Sequence, residues 1–150
     1  MKTLKINKEQ AGEFFRNEVL FEDSRIDGYT IDDMVEILTG DEYQFISSQC
    51  YGYTIAVTAY KTSPDKLSSE VHTFVLPEHR THATQALRGH VAYFKSLGLR
   101  HLFTTCSNYN KKVMNFLIKR LGFVVYDAFP IPDTRDGEPV TLYNLYKAVD

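Results

Sequence analysis

The stretch VLPEHRTHATQAL, from Val75 to Leu87, contains the point at which a strand gives way to a helix. Its apolar run ends at Pro77, which has no N–H group to donate to a neighbouring strand. From Ala83 onward the apolar residues recur with the period of a helix, which Gly98 ends. A helix that directly follows a strand leaves backbone N–H groups unpaired at its positive end, and such an end attracts anions. The stretch therefore predicts a strand, a turn and a helix with a candidate anion site in its first turn.

The residues at this helix start have the properties of a phosphate-binding loop. Arg80 lies where its guanidinium can reach a phosphate oxygen, and Ala83 is small enough for a ligand to approach the main chain. His82 and Thr84 add further hydrogen-bond donors. The alternative is an ordinary turn in which Thr81 is the helix N-cap, and the spacing alone leaves both interpretations open.

The rest of the chain alternates between β-type and helical patterns. Strands are predicted near residues 3–6, 43–50, 51–60, 68–77, 101–106, 123–129 and 141–149, and helices near 9–21, 31–39, 83–97 and 110–121. The order is β-α-α-β-β-β-α-β-α-β-β, which predicts a mixed α/β fold with a mostly antiparallel sheet and helices on both faces. We expect residues 1–150 to form a single domain.

The composition limits the classes of function. With a formal net charge of −2, the chain is not a globally basic nucleic-acid binder, so any anion site must be local. Its two cysteines, Cys50 and Cys106, form no CxxC motif and follow no secretory leader, so we expect a cytoplasmic location. No apolar run approaches the roughly 20 residues that span a bilayer, so no membrane association is expected. We expect no metal site, because His79 and His82 have no further ligands at metal-binding spacing.

Two motifs resemble those of the GNAT family of N-acetyltransferases. The first is V-x-P-E-x-R-x-x-A-x-x-x-L, and the second is NKKVMNFLIKRLGF, an Asn-led helix that ends in Leu, Gly and Phe. The family fingerprint is Arg or Gln, two residues, Gly, one residue, and then Gly or Ala. In this chain Ala83 and Gln85 stand at the two small-residue positions. The segment FLIKRLGF is also similar to the acetyltransferase-like proteins of tailed phages.

The resemblance implies a binding site for acetyl-CoA as a co-substrate. Main-chain groups near Val75 would pair with the pantetheine arm, and Asn110 would contact the cofactor near the second motif. Backbone N–H groups of the fingerprint loop would hold the pyrophosphate, namely those of Arg80, Thr81, His82, Ala83, Thr84 and Gln85.

The resemblance also points to residues for acid and base chemistry. The family often carries its base on the fourth strand, where Glu70 and His72 lie two residues apart and so share a face. Its proton donor is usually a tyrosine four residues before the helix-ending glycine, where this chain has Ile118. Tyr109 and Cys106 are the nearest substitutes. Each of the four titratable side chains also has a purely structural interpretation, which the sequence leaves open.

Two functional hypotheses follow. The first is an acetyl-CoA-dependent N-acetyltransferase in which an amine, on a protein or a small molecule, attacks the thioester directly in a ternary complex. Because Gln85 and Ile118 depart from the family pattern, the second is a GNAT-shaped interaction module without turnover that binds a host or virion protein. A nucleic-acid partner is not expected, and homodimer formation is left open.

Overall fold

The computed structural model describes residues 1–149. Its strands are β1 (Lys2–Ile6), β2 (Gln44–Cys50), β3 (Tyr53–Thr62), β4 (Ser68–Val75), β5 (His101–Ser107), β6 (Val124–Arg135) and β7 (Glu138–Ala148). Its α-helices are α1 (Lys8–Phe15), α2 (Ile31–Leu38), α3 (Ala83–Ser96) and α4 (Lys111–Leu121). Two 3₁₀ segments, Glu22–Ser24 and Pro77–His82, precede α2 and α3 respectively. Within residues 1–149, no helix combines the length and apolar character of a membrane span.

The strands form one seven-stranded sheet in the order β1-β2-β3-β4-β5-β7-β6. Strands β4 and β5 run parallel, and all the other neighbours described in residues 1–149 are antiparallel. Parallel neighbours need a crossover connection, which α3 provides between β4 and β5. The predicted element order and the mixed, mostly antiparallel sheet are therefore confirmed.

Each face of the sheet has its own hydrophobic core. On one face, α3 and α4 pack against the sheet around Phe94 and Leu102. On the other face, α1 and α2 pack around Phe15 and Phe74. Because successive strand residues point to opposite faces, β4 contributes Val71 to the first core and Phe74 to the second. The predicted placement of helices on both faces is confirmed.

Helix α1 is shorter than the sequence pattern predicts. The apolar period predicts a helix to residue 21, but α1 ends at Phe15 with Arg16 as its C-cap. The side chain of Asn17 accepts the N–H of Val19 (3.0 Å), and its carbonyl oxygen accepts the N–H of Leu20 (3.1 Å). Such local hydrogen bonds compete with those of a helix, so the chain turns instead of extending α1.

Helix α3 begins at Ala83, as the sequence predicts, and the predicted turn between β4 and α3 is helical. The 3₁₀ segment Pro77–His82 separates the two, with a kink at His79 (φ −115°, ψ 17°). The N-cap of α3 is His82 and not Thr81, and no side chain forms a cap hydrogen bond there. Proline fixes a helical φ angle at the first position of a turn, so Pro77 starts helical structure immediately after the strand.

A buried histidine connects α3 to the sheet. His90 is 2% exposed, and its Nε2 lies 2.8 Å from the hydroxyl of Ser48. Its Nδ1 lies 2.7 Å from the hydroxyl of Thr58, which in turn lies 2.6 Å from that of Thr73 on β4. Burial disfavours the charged ring and lowers the pKa of His90 to about 4 from the ordinary value of 6.5. The ring is therefore neutral at physiological pH and joins three hydroxyl-bearing strands to α3.

This pKa predicts a loss of stability in mild acid. Between pH 6.5 and about pH 4 the unfolded chain binds a proton at His90 that the folded protein does not bind. The free energy of unfolding therefore falls as the pH is lowered through this window, by roughly 2 kcal/mol between pH 7 and pH 4.5. In the variant His90→Gln this contribution is absent, so urea unfolding at the two pH values should show a correspondingly smaller difference. His82→Gln, at an exposed histidine, is the matched control. An identical pH dependence in His90→Gln and the unmodified protein would contradict the assignment.

Candidate active site

The centre of the sheet opens between β4 and β5. The two strands pair only from Ser68 with His101 to Glu70 with Phe103. Beyond this point β5 stays paired with β7, and β4 stays paired with β3 as far as Val75. The two strands therefore separate and leave the β5-facing edge of β4 without a strand partner. Backbone N–H and C=O groups inside a fold need hydrogen-bond partners, so this edge is suited to binding an extended ligand.

Two helices begin at the wide end of this opening. Helix α3 follows β4, and α4 follows β5, so both N-termini lie beyond the C-terminal ends of the separating strands. Asn110 is the N-cap of α4, but its side chain makes no cap hydrogen bond. Its Oδ1 atom is buried and has no hydrogen-bond partner within residues 1–149. A buried acceptor without a partner is rare in folded proteins and indicates a missing water or ligand.

The predicted phosphate-loop arginine already has a partner. Arg80 donates from Nη2 to Asp23 Oδ2 at 3.3 Å, and the two side chains are 55% and 47% exposed. Ion pairs at this level of exposure contribute little to stability. An anion at the start of α3 can therefore replace Asp23 as the partner of Arg80 at low cost.

The other residues of the predicted loop lie on both sides of the start of α3. Thr81 is exposed in the 3₁₀ segment, and Ala83 and Thr84 are half-buried in the first turn of the helix. His82 and Gln85 line a groove of about 670 Å³ together with residues of β1 and of the turn between β2 and β3. None of the residues that line this groove belongs to β4 or β5. The groove is thus separate from the opening between those two strands.

At the narrow end of the opening, Glu70 and His72 form a hydrogen-bonded cluster with Tyr43. The hydroxyl of Tyr43 donates to Glu70 Oε2 at 2.6 Å, and His72 Nε2 lies 2.7 Å from the same oxygen. The rings of Tyr43 and His72 meet edge to face, with centroids 5.9 Å apart. Glu70 and His72 lie on one face of β4, as their spacing predicts. Tyr43, from the connection between α2 and β2, was not identified by the sequence analysis.

The cluster keeps the Glu70 carboxylate ionised. Burial alone would raise the pKa of Glu70, but the hydrogen bonds from Tyr43 and His72 outweigh it, and the net pKa is lowered. Burial and the neighbouring carboxylate raise the pKa of Tyr43, so its phenol stays protonated and donates. In a neutral His72 ring that donates from Nε2, Nδ1 is the nitrogen with a free lone pair. Glu70 is thus suited to binding a cation, and His72 Nδ1 to accepting a proton.

The substitutes for a proton donor are engaged in structural contacts. The hydroxyl of Tyr109 donates to the carbonyl oxygen of Pro139 at 3.1 Å. The thiol of Cys106 donates to the carbonyl oxygen of Asn110 at 3.3 Å, and burial raises the pKa of Cys106 to about 11. A thiol with this pKa is protonated at neutral pH. The Cys106 thiol therefore holds the start of α4 through this hydrogen bond.

A cavity of about 390 Å³ lies beside Glu70, on the sheet face that carries α1 and α2. Its lining residues come from the end of β3, the paired ends of β4 and β5, and the β6–β7 hairpin, and they are Lys61, Thr62, Ser63, Pro64, Ser68, Ser69, Glu70, Phe103, Thr104, Thr105, Tyr126 and Asn144. The Phe103 ring meets the rings of Tyr126 and Tyr146 at centroid distances of 6.1 and 5.3 Å. The cavity thus combines a carboxylate with an aromatic wall.

The connection between α1 and α2 is attached to the tip of the β6–β7 hairpin. The carboxylate of Asp27 accepts the N–H groups of Asp136 and Gly137, both at 2.9 Å, and the hydroxyl of Thr134 at 2.8 Å. Arg25 forms an ion pair of 3.0 Å with Asp136. The hydrogen bonds from Gly137, Thr134 and Asp136 lower the pKa of Asp27. We call these contacts the Asp27 clasp. The contact between Asp27 and this turn was not identified by the sequence analysis.

We predict that Asp27→Ala loosens the hairpin tip without unfolding the protein. Loss of the acceptor frees the two backbone N–H groups of the turn, so hydrogen exchange at residues 134–137 should become at least about tenfold faster. Mass-spectrometric hydrogen exchange at neutral pH measures this. Asp133→Ala is the matched control, because Asp133 lies on the same hairpin and makes none of the clasp contacts. Unchanged exchange at the tip in Asp27→Ala would show that the clasp does not hold the hairpin.

Solved structures share this architecture. A spermidine N-acetyltransferase of Vibrio cholerae aligns over 99% of this chain and 95% of its own, with a TM-score of 0.75 at 14% identity. A GNAT-family acetyltransferase of Streptococcus pneumoniae aligns over 99% of both chains, with a TM-score of 0.69 at 13% identity. The chain has the GNAT fold. The Salmonella typhimurium protein yncA, solved with acetyl-CoA, aligns over 100% of this chain and 94% of its own, with a TM-score of 0.71 at 15% identity.

The resemblance inferred from the two motifs is therefore confirmed at the level of the fold. No protein-family model matches the sequence, and no curated protein matches it either. At identities of 13–15% the likeness to these proteins is one of fold.

Proposed function

We propose that the protein is an acetyl-CoA-dependent N-acetyltransferase that transfers the acetyl group to an amine by direct attack in a ternary complex. The observation that carries this proposal is the opening between β4 and β5, which has two helix N-termini at its wide end and the Glu70 cluster at its narrow end. The opening provides separate places for a phosphate-bearing cofactor and for a cationic acceptor. The GNAT fold and the acetyl-CoA bound to one structural neighbour support the same assignment.

The residues present fit coenzyme A. Pantetheine carries amide groups, and the unpaired edge of β4 up to Val75 offers main-chain partners for them. The unpartnered Oδ1 of Asn110 can accept an amide N–H at the start of α4. The proposed pyrophosphate site comprises the Arg80 side chain and the backbone N–H groups at the start of α3, that is Arg80, Thr81, His82, Ala83, Thr84 and Gln85.

Acetyl-CoA supplies the thioester. The carbonyl carbon of the thioester bonds to the nitrogen of the neutral amine as the C–S bond breaks. The sulfur leaves with the electron pair and gains a proton, and the amine nitrogen loses a proton. Glu70 holds the incoming ammonium at the narrow end of the opening. The ammonium first passes one proton to Nδ1 of His72, directly or through water, which leaves the neutral amine that attacks; the second proton, lost as the C–N bond forms, goes to water. Base catalysis of this kind contributes about 10²- to 10⁴-fold, whereas holding the reactants in line contributes about 7 to 11 kcal/mol. Positioning is the larger effect.

The proton for the departing sulfur comes from solvent in this proposal. Ile118 cannot donate a proton, and the hydroxyl of Tyr109 is bound to the Pro139 carbonyl. The alternative hypothesis, an interaction module without turnover, rests on the same absence of a side-chain donor. A catalyst adds the mass of an acetyl group to an acceptor and an interaction module does not, so mass spectrometry of reaction mixtures distinguishes the two. The proposal includes a cytoplasmic location, to which the free thiols of Cys50 and Cys106 are suited.

Binding of acetyl-CoA tests the cofactor site. Isothermal titration calorimetry should detect binding to the purified protein, and Arg80→Glu should weaken it by at least about tenfold because a positive charge beside the phosphates becomes negative. Arg100→Glu makes the same change in charge beyond the other end of α3 and should leave the affinity unchanged. No binding by folded protein at millimolar acetyl-CoA would overturn the proposed function.

Substitution of Glu70 tests the acceptor side of the reaction. Glu70→Gln removes the negative charge but keeps the size, so we expect kcat/KM for acetyl transfer to fall by about 10²-fold while the affinity for acetyl-CoA is unchanged. Transfer can be followed as free thiol released in the presence of a panel of primary amines and amino acids. Glu36→Gln, at an exposed position on α2, is the control. Full activity of Glu70→Gln would exclude the carboxylate from the reaction.

A further inference from the structure

We propose that the cavity beside Glu70 binds the acceptor as a free α-amino acid with an aromatic or apolar side chain, and that Lys61 binds its carboxylate. This inference rests on the proposed acetyl transfer and specifies its acceptor. It is drawn from the charges, the wall and the size of the cavity.

The cavity has one charge of each sign at adjacent positions. Lys61 on β3 is the direct cross-strand partner of Glu70 on β4, and both residues line the cavity. Side chains opposed in this way have Cβ atoms about 4.5–5.5 Å apart, so one small zwitterion can reach both. Glu70 accepts its hydrogen bonds from Tyr43 and His72, and within residues 1–149 Lys61 forms no ion pair with it. The ammonium of Lys61 is thus available to an incoming carboxylate while Glu70 holds the α-ammonium.

The positive charge of Lys61 also selects against other amines. A diamine or polyamine carries a second ammonium, which Lys61 repels at this distance. Lys61 therefore favours the binding of an α-amino acid over that of a diamine or polyamine.

The wall of the cavity suits an apolar side chain. Phe103 and Tyr126 both line it, with their ring centroids 6.1 Å apart. Tyr126 is 56% exposed, so a side chain packed against it would cover aromatic surface that is now in water. The volume of about 390 Å³ is at the small end of the range of about 300–1,000 Å³ for small-molecule sites. An amino acid fits this space.

Ligand-observed NMR with the twenty standard L-amino acids tests the proposal without acetyl-CoA. We expect saturation transfer to phenylalanine and to the large apolar amino acids. Phenethylamine, which lacks the carboxylate, and 3-phenylpropionate, which lacks the amine, should each bind at least about tenfold more weakly than phenylalanine. Absence of binding by all the amino acids, or equal binding of phenethylamine and phenylalanine, would overturn the proposal.

Variants of Lys61 assign the carboxylate contact. Lys61→Met should weaken phenylalanine binding by at least about tenfold and leave phenethylamine unchanged, while Lys61→Arg should keep the preference for phenylalanine. Lys66→Met removes a lysine from the connection between β3 and β4, outside the cavity lining, and should have no effect. Equal loss for both ligands in Lys61→Met would overturn the role of Lys61.

The same ligands separate this inference from the proposed function. If acetyl-CoA binds and diamines or peptides are acetylated while amino acids are not, the acceptor assignment fails and the acetyltransferase proposal stands. If amino acids bind but acetyl-CoA does not, the acetyltransferase proposal fails and the cavity assignment stands as a binding site.

Discussion

The short pairing of β4 with β5 is the constraint on which the rest of the site depends. The strands share hydrogen bonds only from Ser68 to Glu70 on β4, although β5 pairs with β7 over His101–Ser107. A longer parallel ladder would satisfy the backbone groups of β4 and would close the sheet. Because it stops, the molecule has an unpaired strand edge at its centre, and a ligand with amide groups can satisfy it. The starts of α3 and α4 lie at one end of this edge, and the Glu70 cluster lies at the other end.

The alternation of side chains along β4 divides the chemistry between the two faces of the sheet. Val71 points into the core beneath α3 and α4, whereas Glu70, His72 and Phe74 point toward the face that carries α1 and α2. The core beneath α1 and α2 is formed with residues of β1 to β4. On the same face of the sheet, β5, β7 and β6 are left to form the cavity and its aromatic wall. A cofactor in the opening and an acceptor on this face would then meet at Glu70.

The electrostatics of the cluster favour binding over strong base catalysis. Tyr43 and His72 both direct hydrogen bonds at one oxygen of Glu70, which stabilises its charged form and weakens it as a base. With no tyrosine at Ile118, the site has less acid and base chemistry than the family pattern implies. The Asp27 clasp ties the loop between α1 and α2 to the hairpin that contributes Tyr126 to the cavity.

The sequence by itself determined the order of the elements and the strand that carries Glu70 and His72. These follow from local signals: the hydrophobic period, the stop at Pro77, and a glycine such as Gly122, whose φ of 77° ends α4. Local signals were misleading where nearby side chains compete for the backbone, as Asn17 does after α1.

Only the tertiary structure decided which distant residues meet. Tyr43 reaches Glu70, Asp27 reaches Gly137, and Lys61 opposes Glu70 because the sheet order and strand register place them together. Register depends on the packing of whole faces and not on any one residue.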